Sequence, residues 1–283
     1  MQINTTKKIQ NEFNRLQLLG WSHTQPNYDG VRVIDEIDES KISFPSRNYE
    51  LDPDASEAKG IWAEFRANKI AGLMDEHGID LIWEVGAGHG NVAIPLREHG
   101  ITTIAIEPLY SGAKVLANNG ICVFGATLDQ LELPDSSIKA IGLFDVLEHL
   151  ENPNQLLDEV YRVLAPAGIL ITSVPCYQWL FSEFDIRVGH FRRYSRRTLK
   201  ATLLKSCFSD TRMTNMFFSL IFPAFIIRRI PFLLGIRSKK NSQSPASQPK
   251  IFKYFESVLI PIFNIETKFK FPFGLSLVSL SRK

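Results

Sequence analysis

Short apolar runs recur through the middle of the chain, near residues 80–85, 101–106, 121–124, 138–144 and 168–174, and stretches with helical spacing separate them. Runs of this length, apolar at successive positions, predict strands buried on both faces. Their alternation with helices predicts a parallel sheet covered on both sides, an α/β fold. Right-handed crossovers then put a ligand crevice at the C-terminal ends of the strands. Upstream, Ile9, Phe13, Leu16 and Leu18 carry a weak helical period, and a turn-rich stretch follows to about residue 55. A helix is expected from a cap at Asp54 or Ser56 through Ile61, Trp62, Phe65, Ile70, Leu73 and Met74.

The chemistry concentrates where the first of these runs ends. Residues 81–91 read Leu-Ile-Trp-Glu-Val-Gly-Ala-Gly-His-Gly-Asn, and the helical pattern resumes through Val92, Ile94 and Leu96. Glycines at 86, 88 and 90 permit positive φ and let a ligand lie against bare backbone. The carboxylate of Glu84 suits a cationic group and repels a pyrophosphate. A dinucleotide fingerprint, G-x-G-x-x-G, requires a third glycine where Asn91 stands. Glu107, seventeen residues past Gly90, closes the second run, where an acid can accept both hydroxyls of a ribose.

The segment E-x-G-x-G-x-G at Glu84–Gly90 resembles the first motif of the class I S-adenosylmethionine-dependent methyltransferases. Asp145-Val-Leu-Glu-His-Leu-Glu-Asn-Pro153 resembles the same family's fourth-strand segment, and Arg162–Pro175 matches the helix, turn and strand that follow. Trp62, Phe65, Arg66 and Asn68 resemble a segment found before the first strand in one branch.

The resemblance implies a Rossmann-like, seven-stranded, mostly parallel sheet with helices on both faces. Two further strands are then expected near 211–218 and at Leu275–Ser281, the last antiparallel. It implies S-adenosyl-L-methionine as cofactor, held by Glu84, Gly86, Ala87, Gly88, Gly90, Glu107, Thr127, Leu128, Phe144 and Asp145. One departure is the absence of an acid after the third strand. Ala126, Thr127 and Leu128 stand there, so backbone groups around Thr127 and Leu128 are expected to hold the adenine edge.

Composition narrows the setting. An apolar content of 45% in 283 residues is ample for one large core plus an insertion. Cys122, Cys176 and Cys207 are widely spaced, which argues against a disulfide frame or a metal site. The first residues lack the apolar core of a signal peptide, so a cytoplasmic location is expected. A net charge of +2 conceals an asymmetry. Residues 1–186 hold 13 Lys+Arg against 27 Asp+Glu, whereas residues 187–283 hold 19 against only Asp210, Glu256 and Glu266. The basic part points to an anionic partner, although solvated surface charge reads the same way.

The expected organisation is an N-terminal extension over 1–55, a cofactor-binding core over 56–218, an insertion over 219–272 and a final core strand over 273–283. The insertion carries apolar pieces at Phe217–Ile227 and Ile251–Phe263, flanked by Arg228, Arg229, Arg237, Lys239, Lys240, Lys250 and Lys253. This pattern fits a peripheral contact with an anionic membrane on its inner face. It fits equally a helical cap or an oligomer contact.

Residues 183–198 follow the fifth strand and contain Asp185-Ile-Arg-Val-Gly-His-Phe-Arg-Arg-Tyr194. This run resembles the D-x-x-x-G-H-x-R-R-Y segment of the same branch. His190 is a candidate base, Arg192 and Arg193 candidate anion holders, and Tyr194 a candidate for orienting the acceptor. His149, four residues past Asp145, competes for the base role. A plainly structural alternative has Ser195 capping a helix and the arginines pairing with carboxylates. The reading is methyl transfer to oxygen of a small anionic or membrane-associated acceptor, such as a glycan or lipid-linked intermediate. A nicotinamide-dependent oxidoreductase and a non-catalytic binding protein are the alternatives. Nucleic acid is disfavoured, because the basic run lacks interleaved aromatics for base stacking.

Overall fold

The computed structural model describes residues 2–22, 31–33, 61–217, 266 and 273–283. The expected insertion, Glu266 apart, and most of the N-terminal extension lie outside the described residues. The strands are β1 (Val31–Val33), β2 (Leu81–Val85), β3 (Thr102–Ile106), β4 (Cys122–Gly125), β5 (Ile138–Phe144), β6 (Leu164–Pro175), β7 (Asp210–Phe217) and β8 (Ser276–Arg282). The helices are α1 (Gln2–Leu18), α2 (Ile61–Glu76), α3 (Ala93–Glu98), α4 (Tyr110–Asn118), α5 (Pro153–Val163), α6 (Glu183–Arg187) and α7 (Arg196–Lys205).

All strands join one sheet in the order β1-β4-β3-β2-β5-β6-β8-β7. Neighbours run parallel except that β8 is antiparallel to both β6 and β7. Strands β2 to β8 form the expected seven-stranded sheet with its antiparallel last strand. At the edge, β1 adds a parallel pairing with β4. Three residues are too few for a period to reveal this strand, and its pairing is set by the neighbour. The order reverses at β2, which has β3 on one side and β5 on the other. Connections leaving β2 and β5 therefore diverge and open a crevice at their C-terminal ends.

Successive strand residues face opposite layers. Trp83 and Val85 of β2 pack with Phe13 and Leu16 of α1, Leu157 and Val160 of α5, and Leu199 and Leu203 of α7. Ile82 turns the other way, to Phe65, Ile70, Leu73 and Met74 of α2. Glu84 shares the parity of Ile82, so its carboxyl is directed to the α2 side of the crevice. Helix α1 belongs to the core layer: Trp83 stacks on Phe124 with centroids 6.0 Å apart, and Phe13 meets the edges of both rings. Trp21 continues this cluster and donates its Nε1–H to the Leu131 carbonyl at 2.8 Å. Local signals also hold. Pro153 opens α5, and Ser195 caps α7 by accepting the Thr198 N–H at 3.1 Å.

Candidate functional site

The turn after β2 is built from glycines because no side chain fits. Gly86, Gly88 and Gly90 have φ of 70°, 56° and 82°. A Cβ at Gly86 would lie 2.9 Å from Val146 Cγ2, and one at Gly90 would lie 2.7 Å from Ile94 Cδ1. Gly90 therefore serves helix packing, whereas Gly88 meets an acid. Its N–H donates to Glu107 Oε2 at 2.7 Å, and the Leu109 N–H donates to Oε1 at 2.9 Å. Glu107 thus ties the glycine turn to the end of β3. Ala87, between the two glycines, is buried.

Two buried carboxyls meet here. Burial pushes the Glu84 carboxyl up to about 8; Arg66 opposes the shift and Glu107 adds to it. Burial likewise raises Glu107 to about 7, against the pull of the Leu109 and Gly88 N–H groups. Glu84 Oε2 has no hydrogen-bond partner among the described residues. A buried acceptor without a donor is costly. An ammonium on a ligand relieves that cost, so the residues present fit S-adenosylmethionine.

Across the crevice, Asp145 directly follows β5 and has φ 56°, a left-handed conformation that aspartate tolerates. Its N–H donates to the Ser173 carbonyl, and its Oδ1 accepts from Ser173 Oγ at 3.1 Å. Arg66 Nη2 lies 2.7 Å from Asp145 Oδ2 and 3.1 Å from Ser173 Oγ. This brings α2, β5 and β6 together at one corner of the site. Phe144 is buried in the α2-side cluster, so the structure uses its ring as core. The Thr127 N–H is engaged by Gln130 Oε1 at 2.8 Å, while Leu128 is buried beside it.

The turn Leu147–His149 and the segment 190–194 are sewn together. The Phe191 N–H donates to the Glu148 carbonyl at 2.7 Å, and Arg192 Nη2 donates to the carbonyls of Leu150 and Glu151. The His149 and His190 rings meet edge to face with centroids 4.5 Å apart. Beneath them, Asp185 Oδ1 accepts from His190 Nδ1 at 3.0 Å and from Arg193 Nε at 2.7 Å. Its Oδ2 accepts the N–H and the hydroxyl of Ser182. Burial works against an ionised Asp185, but the bonds from His190, Arg193 and Ser182 outweigh it and hold the carboxyl well below its usual range. An ionised carboxylate only accepts, so His190 donates to it from Nδ1 and turns Nε2 away from Asp185. Burial, then His190, lower the His149 imidazole to about 4 against Asp145 and a Gly189 backbone bond.

The structure thus gathers Glu84, the glycines, Glu107 and Asp145, and sets the two histidines on the same side as Asp145. Two expectations change. Tyr194 is buried at 2% exposure with its hydroxyl donating to the Leu147 carbonyl at 3.2 Å, so it holds the turn from behind. The Arg193 guanidinium is bound to Asp185 and the Cys176 carbonyl, so it braces the histidine platform. Asp185 and Glu148 were not singled out by sequence, although Asp185 is the first residue of the D-x-x-x-G-H-x-R-R-Y run.

This is the architecture of a class I S-adenosylmethionine-dependent methyltransferase domain. The methyltransferase-domain family matches residues 58–210, more than half of the chain, and the chain belongs to it. A Mycolicibacterium smegmatis protein named "Probable S-adenosylmethionine-dependent methyltransferase" is 30% identical over 105 residues, 37% of this chain and 36% of that protein. A ubiquinone biosynthesis O-methyltransferase of Rickettsia akari is 28% identical over 120 residues, 40% of this chain and 47% of that protein. The match thus spans between about a third and a half of these relatives' lengths. A solved SAM-dependent methyltransferase from Thermotoga maritima shares the fold, with a TM-score of 0.52 at 17% identity, over 83% of this chain and 99% of that one.

Proposed function

We propose that the protein transfers the methyl group of S-adenosylmethionine to an oxygen of a small anionic or membrane-associated acceptor. The observation that carries the reading is the buried Glu84 carboxyl, whose Oε2 lacks a donor among the described residues, beside the bare-backbone turn and Glu107. When bound, the cofactor supplies a methyl carbon made electrophilic by its sulfonium. Glu84 then takes the ammonium, Glu107 accepts the ribose hydroxyls, and the backbone at Ala87 and Gly88 lies against the adenosine. Leu128 lines the adenine edge. Asp145, locked by Arg66 and Ser173, closes the crevice at the reacting end. Displacement at a methyl carbon needs an in-line approach and a route for the acceptor proton. His190 Nε2, with Nδ1 fixed by Asp185, offers that route, and His149 walls the approach.

Transfer to oxygen agrees with the name of the Rickettsia akari relative, an O-methyltransferase. A membrane-associated acceptor is supported by exposed apolar side chains beside the histidines. Trp179, Phe184, Ile186 and Phe191 are 50%, 50%, 65% and 47% exposed, with Arg187 among them. Apolar tips with a basic neighbour suit a lipid interface. The apolar and basic insertion, proposed over residues 219–272, adds to that character. No helix among the described residues is long and apolar enough to cross a membrane. The test is transfer from labelled S-adenosylmethionine to lipid and aqueous extract fractions. Label in an alkali-stable ether of the lipid fraction is expected; label confined to the aqueous fraction overturns the membrane-associated acceptor.

A further inference from the structure

Glu148 is fully buried, and neither of its carboxylate oxygens meets a donor of another residue among the described residues. A buried carboxyl without a donor is costly, and a cation beside it relieves that cost. His149 and His190 face it, and one donor atom from each of the three side chains lies within 4.8 Å of the other two. Adjustments of about an ångström bring these atoms onto one ion at the 2.0–2.2 Å of nitrogen and carboxylate ligands. Both imidazoles are already aimed from behind. His190 Nδ1 is held by the ionised Asp185, which Arg193 and Ser182 hold in turn, and His149 bonds the Gly189 backbone. A carboxylate behind a ligating histidine fixes its tautomer and strengthens it as a ligand.

We propose that Glu148, His149 and His190 form a binding site for one divalent transition-metal ion at the acceptor end of the crevice. Two imidazoles and one carboxylate select a borderline ion of the zinc or ferrous type over magnesium or calcium. Three protein ligands leave a coordination position open for a hydroxyl oxygen of the acceptor. The ion lowers the pKa of that hydroxyl, whose proton leaves to water. The oxygen then bonds the methyl carbon, and the carbon–sulfur electron pair stays on sulfur. This deepens the proposed methyl transfer and changes the part of His190, which holds the ion in place of taking the proton. The use of the site rests on that reading; the binding of the ion does not.

The test uses the full chain, stripped with chelator and titrated with zinc or cobalt ions without cofactor or acceptor. One ion per chain is expected, with a visible cobalt absorption characteristic of imidazole coordination. Glu148→Gln and His190→Gln should abolish that spectrum, and Asp185→Asn should weaken binding by about 10–100-fold. Far-UV circular dichroism checks each variant; should Glu148→Gln fail to fold, His190→Gln at the edge of the site carries the test. No stoichiometric binding, or binding that survives both substitutions, overturns the site. Methyl transfer that persists in chelator by a protein that binds zinc overturns only its catalytic use. Absence of transfer alongside normal metal binding would instead count against the proposed function.

Discussion

The guanidinium of Arg66 reaches from α2 to the end of β5 and lies 2.7 Å from the Asp145 carboxylate. The same guanidinium opposes the rise of the Glu84 pKa. One cation is therefore shared by acids on both walls of the crevice. Replacing Asp145 with Asn keeps a residue that tolerates φ 56° but removes one claimant on Arg66. The Glu84 carboxyl should then ionise at lower pH. The check is the pH midpoint of cofactor affinity, which should move downward in the variant; an upward move would contradict the shared-cation account.

The sign of the pH effect follows from the raised carboxyls. Glu84 at about 8 and Glu107 at about 7 hold protons that the unfolded chain, near 4.5, has released. The unbound protein should accordingly lose stability as pH rises from about 4.5 to about 8. A cationic ligand needs the ionised form, so its binding should expel protons, and its affinity should rise over the same interval. Calorimetry of S-adenosylhomocysteine in two buffers of different ionisation enthalpy measures this release. Proton uptake on binding would rule it out.

Gly90 and Tyr194 separate packing from chemistry. Gly90→Ala adds a methyl within 2.7 Å of Ile94 at φ 82° and should cost about 1–3 kcal/mol, read as a lower denaturant midpoint. Tyr194→Phe removes the donor to the Leu147 carbonyl and should cost about 1–3 kcal/mol through the buried acceptor it leaves. Its KM for the acceptor should stay unchanged. A raised KM at unaltered stability would restore Tyr194 as an acceptor contact.

The exposed apolar patch makes a separate forecast. Phe184→Glu with Ile186→Glu replaces side chains 50% and 65% exposed, so the fold should tolerate both. Flotation with anionic vesicles should fall about tenfold or more, since each apolar side chain buried in lipid contributes about 1.5–3 kcal/mol. Undiminished flotation would show that this patch is not the lipid contact.

The sheet and the corner that gathers Glu84, the glycine turn and Glu107 were legible in the sequence because both rest on local signals. Runs of Ile, Val and Leu specify buried strands, and glycines at fixed spacing specify a turn ending beside Glu84. The acceptor side was legible only as a list of residue types. Whether Tyr194 points into the crevice or behind it depends on how segment 190–194 lies against the turn 147–151, which hydrogen bonds across more than forty residues decide. The Glu148–His149–His190 cluster arises from the same tertiary contact. Cysteine spacing carries no signal of it. Strand β1 escaped notice because three residues carry no period and their partner is ninety residues away.

The cofactor site proposed at Glu84, the glycine turn and Glu107 is open to a direct test: calorimetric titration of the full chain with S-adenosylhomocysteine, and separately with NAD. S-adenosylhomocysteine should bind, and Glu107→Ala should weaken that binding by about 10- to 150-fold, the equivalent of about 1.5–3 kcal/mol for a lost charged hydrogen bond, with no comparable affinity for NAD. Tight NAD binding with none for S-adenosylhomocysteine would contradict it.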